Sequence, residues 1–180
     1  YVSRGIASDH ECTTAEEAEE KLLLGQYIFL REGDAAKNVE ALSSVVTPQT
    51  ASRCCFATDD RHVDSIAREG SIDNCIRKAC AAGMPLELAL RLATLSVAEY
   101  YSLHDRGIIA PGRAADFCIL EEGEEFRVAR VYKNGLSVRR KETPETPEMS
   151  FPPFICPIPS AEELRLPAGK LKVIETIPGE

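Results

Sequence analysis

Residues 54–61 read Cys54-Cys55-Phe56-Ala57-Thr58-Asp59-Asp60-Arg61, a short apolar run that ends in two adjacent carboxylates. The run is too apolar for a surface loop and too short for a helix, which predicts a buried strand over 53–58. Parallel α/β sheets carry their reacting groups at the carboxyl ends of such strands. The same pattern also fits a strand whose acid, Asp60, only caps the next helix. Both interpretations stay open at this point.

The composition limits the class of protein. The chain has 180 residues, 44% of them hydrophobic, and a formal net charge of −8. This acidic balance argues against nucleic acid as a partner, because the scattered basic residues would not neutralise phosphates. Seven cysteines without a CxxC spacing predict reduced packing residues in a cytoplasmic protein. No apolar run reaches membrane-spanning length and no signal sequence is evident, so we expect no membrane partner.

Polar residues follow two further predicted strands. A weak strand signal in residues 1–8 leads into the polar segment 8–12, after which a Thr-Thr pair three residues before two glutamates predicts a capped helix ending at Gly25. Residues 27–30 predict a buried strand, followed by a polar turn and a helix over 35–42. These repeated strand–turn–helix units predict a run of parallel βα units and therefore an α/β fold.

The next part of the chain contains two amphipathic helices and then a β element. Apolar stripes predict helices over 71–82 and over 85–97, the second with Pro85 in its first turn. After residue 107 the sequence is rich in turns, and Asn134-Gly135 is a strong hairpin signal. We predict the strands of this small antiparallel element at 117–120 and 128–132.

Proline marks the last part of the chain. Six of the eleven prolines lie in residues 142–159, which predicts an extended connector because proline removes backbone donors and blocks helix. The alternating residues 171–177 then predict a strand. We therefore expect three parts: βα units at 1–106, a small β region at 107–141, and a connector with the start of a further domain at 142–180.

His10 and Asp59 end the first and third of the predicted parallel strands, so both would lie at one edge of the sheet. An imidazole nitrogen and a carboxylate oxygen suit a divalent ion such as Zn, Fe or Mn. Such an ion lowers the pKa of bound water and makes a nucleophile at neutral pH. A catalytic site usually takes at least three protein ligands, so a helix-capping His10 and a structural Asp59 remain an alternative.

Several segments occur together in one order along the chain. They are Ser8-Asp9-His10-Glu11-Cys12-Thr13-Thr14, Arg31-Glu32-Gly33, Thr58-Asp59-Asp60-Arg61-His62, Asp105-Arg106-Gly107 and Val131-Tyr132-Lys133-Asn134-Gly135. In these segments the chain resembles the adenine deaminases of the amidohydrolase superfamily. The resemblance implies an α/β fold, namely the C-terminal part of a (β/α)₈ TIM-like metal-dependent hydrolase barrel plus a small β-strand region of the composite β domain. It also implies hydrolysis of adenine to hypoxanthine and ammonia, a step of purine metabolism with a small-molecule purine as substrate.

The resemblance also implies roles for individual residues. His10 and Asp59 would bind the divalent metal, which could be Mn, Fe or Zn. Asp59 would in addition carry a proton from the attacking water, and Glu11 would be a second catalytic group. Arg31 and Asp60 would contact the substrate. Ser96-Val97-Ala98 stands where the family usually has Asn-Pro-Ala, a departure that affects packing rather than chemistry.

The family's other metal ligands, a His-x-His pair, a bridging carboxylate and a further histidine, would precede Tyr1. We therefore expect a fragment that is inactive alone and that either forms homo-oligomers or associates with the missing N-terminal half. Two alternatives remain open at this stage. One is another cyclic-amidohydrolase activity, hydantoinase- or deacetylase-like, and the other is a non-catalytic assembly fragment without metal.

Overall fold

The computed structural model describes residues 2–123, 126–138, 156–166, 169–170 and 172. The chain divides into two compact units, Tyr1–Arg139 and Arg140–Glu180. In the second unit, Ser160 and Glu163 form one turn in which each side chain accepts the backbone N–H of the other residue. The predicted connector at 142–159 and the predicted strand at 171–177 lie largely outside the described residues.

A three-stranded parallel sheet organises the first unit. Its order is β1-β2-β3, and Ile28 lies opposite both Asp9 and Cys54 in the register. Parallel neighbours joined by helical connections are the βα units that the sequence predicts, so that prediction is confirmed. The weak strand signal in residues 1–8 produces a short strand only, because Gly5 turns the chain at a φ of 84°. The strands are β1 (Ser8–Asp9), β2 (Tyr27–Arg31) and β3 (Cys54–Ala57).

Six α-helices lie in the described part of the first unit. They are α1 (Ala15–Leu23), α2 (Val39–Leu42), α3 (Val63–Glu69), α4 (Ile72–Ala81), α5 (Leu86–Ala93) and α6 (Leu95–Tyr100), with 3₁₀ turns at Val2–Arg4, Ser43–Val45 and Ala51–Arg53. The prediction of a helix over 71–82 is confirmed by α4, and Gly83 follows it at a φ of 94°. Among the described residues, none of the helices has the length and apolar character needed to cross a bilayer.

The structure corrects two helix predictions. The helix expected over 35–42 begins only at Val39, because Glu32 pairs with Lys37 in an antiparallel bridge and the Ala35 N–H donates to a side chain from another loop. The helix expected over 85–97 is interrupted at Thr94, whose φ of −131° and ψ of −82° are not helical. The Thr94 hydroxyl donates to the carbonyl oxygen of Leu90, a local bond that competes with the helix.

The core lies where the helices cover one face of the parallel sheet. Fully buried strand residues Ile28 and Leu30 pack in one cluster with helix residues such as Leu42 and Leu92. All seven cysteines are unpaired, and Cys12, Cys54, Cys55 and Cys75 are fully buried. The prediction of reduced packing cysteines is therefore confirmed for these four, whereas Cys118 and Cys156 are exposed.

A second sheet of three antiparallel strands follows the helices. Its hairpin turn is Asn134-Gly135, with φ values of 51° and 75°, as the sequence predicts for a turn that needs positive φ twice. The rings of Phe117 and Tyr132 stack across the first strand pair with centroids 4.6 Å apart. The strands are β4 (Phe117–Leu120), β5 (Val128–Lys133) and β6 (Leu136–Ser137), ordered β4-β5-β6.

Candidate metal centre

The carboxyl ends of the three parallel strands carry the predicted site residues. His10 and Glu11 directly follow β1, Arg31 is the last residue of β2, and Asp59 lies two residues after β3. Asp59 has a φ of 57°, a left-handed conformation that few residues other than glycine adopt. Backbone outliers of this kind are concentrated at functional sites, where the surrounding structure holds them.

The structure brings His10, Glu11 and Asp59 together. One ligand atom from each lies within 4.8 Å of the others, and all three residues are exposed at the surface. The Nε2 atom of His10 is 3.1 Å from Oε1 of Glu11. One imidazole and two carboxylates are a donor set that suits Zn²⁺, Mn²⁺ or Fe²⁺, so the residues present fit a divalent ion.

The Arg31 guanidinium joins the two carboxylates of this cluster. Its Nη2 and Nη1 donate to Oε2 and Oε1 of Glu11 at 2.8 and 3.1 Å, and Nη1 also donates to Oδ2 of Asp59 at 2.7 Å. The Arg31 side chain is only 9% exposed. Burial opposes the charged form, but the hydrogen bonds to Glu11 and Asp59 outweigh it and raise the pKa of Arg31.

Asp9 shapes the loop that presents His10 and Glu11. Its Oδ1 accepts the backbone N–H of Glu11 at 2.6 Å, and its Oδ2 binds the Lys21 ammonium at 2.6 Å. Burial opposes the ionised form of Asp9, but the hydrogen bonds from Lys21 and the Glu11 N–H outweigh it and lower the pKa of the carboxyl group. A charged Asp9 therefore closes a tight turn and directs the next two side chains outward.

Asn38 ties the first two strand ends together, a role that the sequence analysis missed. Its Oδ1 accepts the Arg31 N–H at 2.6 Å, while its Nδ2 donates to the carbonyl oxygens of Cys12 and His10 at 2.9 and 3.3 Å. The side chain is almost fully buried. No signal in the sequence pointed to this role, because the predicted helix over 35–42 placed Asn38 inside a helix, whereas in the structure it directly precedes α2.

Asp60 lies next to the cluster but is engaged with another loop. Its Oδ1 and Oδ2 accept the backbone N–H groups of Asp34 and Ala35 at 3.1 and 2.9 Å. The bond from the Ala35 N–H is the main reason that the pKa of Asp60 is lowered. The structure therefore places Asp60 in a contact between the loop after β2 and the loop after β3. The predicted substrate contacts of Asp60 and Arg31 stay predictions.

A cavity of about 410 Å³ opens beside His10 and Asp59. Its walls are mainly apolar and aromatic, which suits a flat organic ring. The Tyr100 hydroxyl shares a hydrogen bond of 2.8 Å with the Ser8 hydroxyl, and its ring contacts that of Phe29 edge to face at a centroid distance of 5.0 Å. No pattern in the sequence indicated that these aromatic residues belong to the site. The apolar and aromatic wall includes Phe29, Phe56, Val97, Tyr100 and Tyr101.

The other two histidines do not belong to the cluster. His62 immediately precedes α3, and its backbone N–H donates to Oδ2 of Asp34. His104 lies in the turn after α6. In the part of the chain that the structure describes, His10 is thus the one histidine placed among carboxylates that could share an ion.

Comparisons with known proteins identify the family of this chain. The profile of the Amidohydrolase family matches residues 2–138. The chain is 50% identical over 181 residues to an adenine deaminase of Methanoregula boonei and 45% identical over 188 residues to one of Methanoculleus marisnigri. Both alignments cover the whole chain but only 32% and 35% of these relatives, in their C-terminal part. The chain therefore spans about a third of the length of the curated relatives it matches.

Solved structures support the fold. The β-aspartyl dipeptidase of Fervidobacterium islandicum AW-1 matches with a TM-score of 0.57 over 72% of this chain and 37% of its own, at 24% sequence identity. The same enzyme in complex with a β-Asp-Leu dipeptide matches with a TM-score of 0.54 over 68% of this chain and 35% of its own, at 21% identity. At such identities the likeness supports an α/β fold of the amidohydrolase type and nothing about substrate.

Proposed function

This chain belongs to the amidohydrolase family, and from that premise we propose that it is the C-terminal part of a metal-dependent adenine deaminase. The proposal is supported by two adenine deaminases that match the whole chain at 45–50% identity. The proposed architecture is the last βα units of a (β/α)₈ barrel at 1–106, a small β region at 107–141 and a connector at 142–180. A cytoplasmic location is part of the proposal, in agreement with the unpaired cysteines.

The single observation that carries the proposal is the convergence of His10, Glu11 and Asp59 beside a cavity with aromatic walls. A purine ring needs a flat apolar pocket, and its hydrolysis needs polar groups at one end of that pocket. The His10 imidazole and the Asp59 carboxylate lie at such an end. We expect the remaining ligands to come from the part of the relatives that this chain does not cover, through association within a longer protein or an oligomer.

The proposed reaction replaces the exocyclic amino group of adenine by oxygen from water and releases ammonia and hypoxanthine. A divalent ion held by His10 and Asp59, whether Mn²⁺, Fe²⁺ or Zn²⁺, would supply activated water at neutral pH. The Asp59 carboxylate accepts a proton from the attacking water and delivers it to the departing amine. Glu11 is the second catalytic group of the proposal, while Arg31 and Asp60 are its candidate substrate contacts.

The test replaces the matching C-terminal segment of the Methanoregula boonei relative by this chain. We expect the chimera, supplied with Mn²⁺, to release ammonia from adenine, and the isolated 180-residue chain to release none. Asp59→Asn in the chimera should lower kcat by roughly 10²–10⁴-fold, since it removes the group that moves the proton. A folded chimera that hydrolyses cyclic amides but not adenine would refute the proposal.

A further inference from the structure

We propose that Arg31 is a positioning residue: its guanidinium holds Asp59 directly, and His10 through Glu11, in the arrangement that binds a divalent ion. This inference rests on the proposed function only in placing an ion at His10 and Asp59. It gives Arg31 and Glu11 roles that differ from substrate contact and proton transfer.

The first argument concerns which carboxylate oxygens of Glu11 and Asp59 accept a hydrogen bond. Both oxygens of Glu11 accept from the two arms of Arg31, and Oδ2 of Asp59 accepts from Nη1. Among the described residues, no group donates a hydrogen bond to Oδ1 of Asp59. Arg31 thus donates to both oxygens of Glu11 but to one oxygen of Asp59 only, which makes Asp59 the carboxylate with an oxygen available for an ion or a proton.

The second argument concerns the orientation of the imidazole. The Nε2 atom of His10 lies 3.1 Å from Oε1 of Glu11, the same oxygen that accepts from Nη1 of Arg31. A carboxylate this close to an imidazole fixes the orientation of the ring, as the groups that surround metal-binding histidines do. Because Glu11 is 65% exposed, Arg31 is the group that holds this carboxylate in place for the histidine.

The third argument is the rigidity of Arg31 itself. Its side chain is 9% exposed, and its backbone N–H and C=O are both bonded to Asn38, at 2.6 and 2.9 Å. Its Nε is buried and has no acceptor among the described residues. A planar guanidinium group held in this way donates to two carboxylates at once. The single ammonium group of a lysine does not reproduce this geometry.

The experiment titrates the 180-residue chain with Mn²⁺ by calorimetry and compares it with the Arg31→Lys variant. Arginine and lysine carry the same charge, so both chains repel the ion equally. The comparison therefore measures the loss of the two-armed guanidinium contact alone. We expect Arg31→Lys to bind Mn²⁺ about 10–100-fold more weakly, the range seen for residues that orient metal ligands. Glu11→Gln should weaken binding similarly, and the double variant should be no weaker than the worse single variant, because the two residues act as one unit.

Arg61→Lys is the matched control. Arg61 is 2% exposed, donates to Glu69 and Asp34 at 2.6 and 3.4 Å, and also has a buried Nε without an acceptor among the described residues. Among the described residues, the Arg61 side chain makes no hydrogen bond or ion pair with the side chains of His10, Glu11 or Asp59. Its one bond to Asp59 joins the two backbones at 3.0 Å and is kept in the lysine variant, so this variant should bind Mn²⁺ within about twofold of the parent chain. An equal loss in Arg61→Lys, unchanged binding in Arg31→Lys, or no binding by the parent chain would each overturn the inference. A loss specific to Arg31→Lys beside a folded chimera that does not deaminate adenine would refute the deaminase and retain the positioning role.

Discussion

At the scale of single residues, Gly33 shows how closely the loops around the site are packed. A Cβ atom at this position would lie 1.9 Å from Oδ1 of Asp60 and 3.0 Å from the carbonyl oxygen of Thr58. The same Asp60 oxygen accepts the Asp34 N–H, so the absence of a side chain at Gly33 allows the loops after β2 and β3 to join. The join lies next to Asp59 and limits how far the end of β3 can move.

We expect Gly33→Ala to lower the free energy of unfolding by about 1–3 kcal/mol, the usual effect of forcing a methyl group into filled space. Urea unfolding of the chain measures this change. Gly169→Ala is the matched control, because no atom of the described residues lies within 4 Å of its added Cβ and its φ is not in the left-handed range. Equal urea midpoints for the two variants would contradict this prediction. They would show that the loops move to admit the methyl group without a loss of stability.

At the scale of elements, the residues that cap the start of α1 are linked by hydrogen bonds to the candidate site. The Thr14 hydroxyl accepts the Glu17 N–H at 3.3 Å, and Oε2 of Glu17 accepts the Thr13 N–H at 3.3 Å. The capping pattern that the sequence predicts is therefore confirmed. Glu17 also binds Lys21 at 2.6 Å, and Lys21 binds Asp9, the last residue of β1, directly before His10. The start of α1 is thus bonded indirectly to the candidate metal centre.

Removing the cap should destabilise the protein by about 1 kcal/mol, within the usual range for an N-cap threonine. We expect this result for Thr14→Ala in urea unfolding followed by circular dichroism. Thr13→Ala removes the same atoms from the preceding residue, whose side chain makes no hydrogen bond recorded among the described residues. Thr13→Ala should therefore change stability by less than about 0.5 kcal/mol. A larger effect for Thr13→Ala than for Thr14→Ala would contradict the assigned cap.

At the scale of the whole molecule, the core contains thiols that water does not reach. Burial raises the pKa values of Cys54, Cys55 and Cys75 to about 12. In the unfolded chain these thiols titrate near the ordinary value of 9.0. Between pH 9 and 12 the unfolded chain has therefore lost protons that the folded chain still holds. By linkage, the stability is complete below about pH 9 and is lost as the pH rises towards 12.

The expected outcome is a urea midpoint that is level up to about pH 9 and falls above it, each buried thiol contributing a slope of up to about 1.4 kcal/mol per pH unit. Cys54→Ala should reduce this slope, because burial is the only cause of its raised pKa. Cys118→Ala, at an exposed position, should leave the slope unchanged. Parallel pH profiles for Cys54→Ala and the parent chain would contradict the assignment.

The sequence by itself determined the features that depend on neighbouring residues. These are the cap of α1, the helix α4 that ends before Gly83, the strand at 54–57, the Asn134-Gly135 hairpin and the placement of His10 and Asp59 at the ends of parallel strands. Each depends on a short-range rule, either a helical or strand period or a turn preference, that a stretch of a few residues expresses.

Only the tertiary structure decided what joins these elements. The late start of α2, the contacts of Asp60, the Arg31 fork and the Tyr100 wall of the cavity depend on bonds between residues 20 to 92 positions apart. Contacts across such separations leave no periodic pattern in the sequence. From the sequence alone, Arg31 cannot be told apart from an ordinary charged residue at the end of a strand. Their partners become defined only when packing of the sheet and helices brings the loops together, because hydrogen bonds are short-ranged and directional.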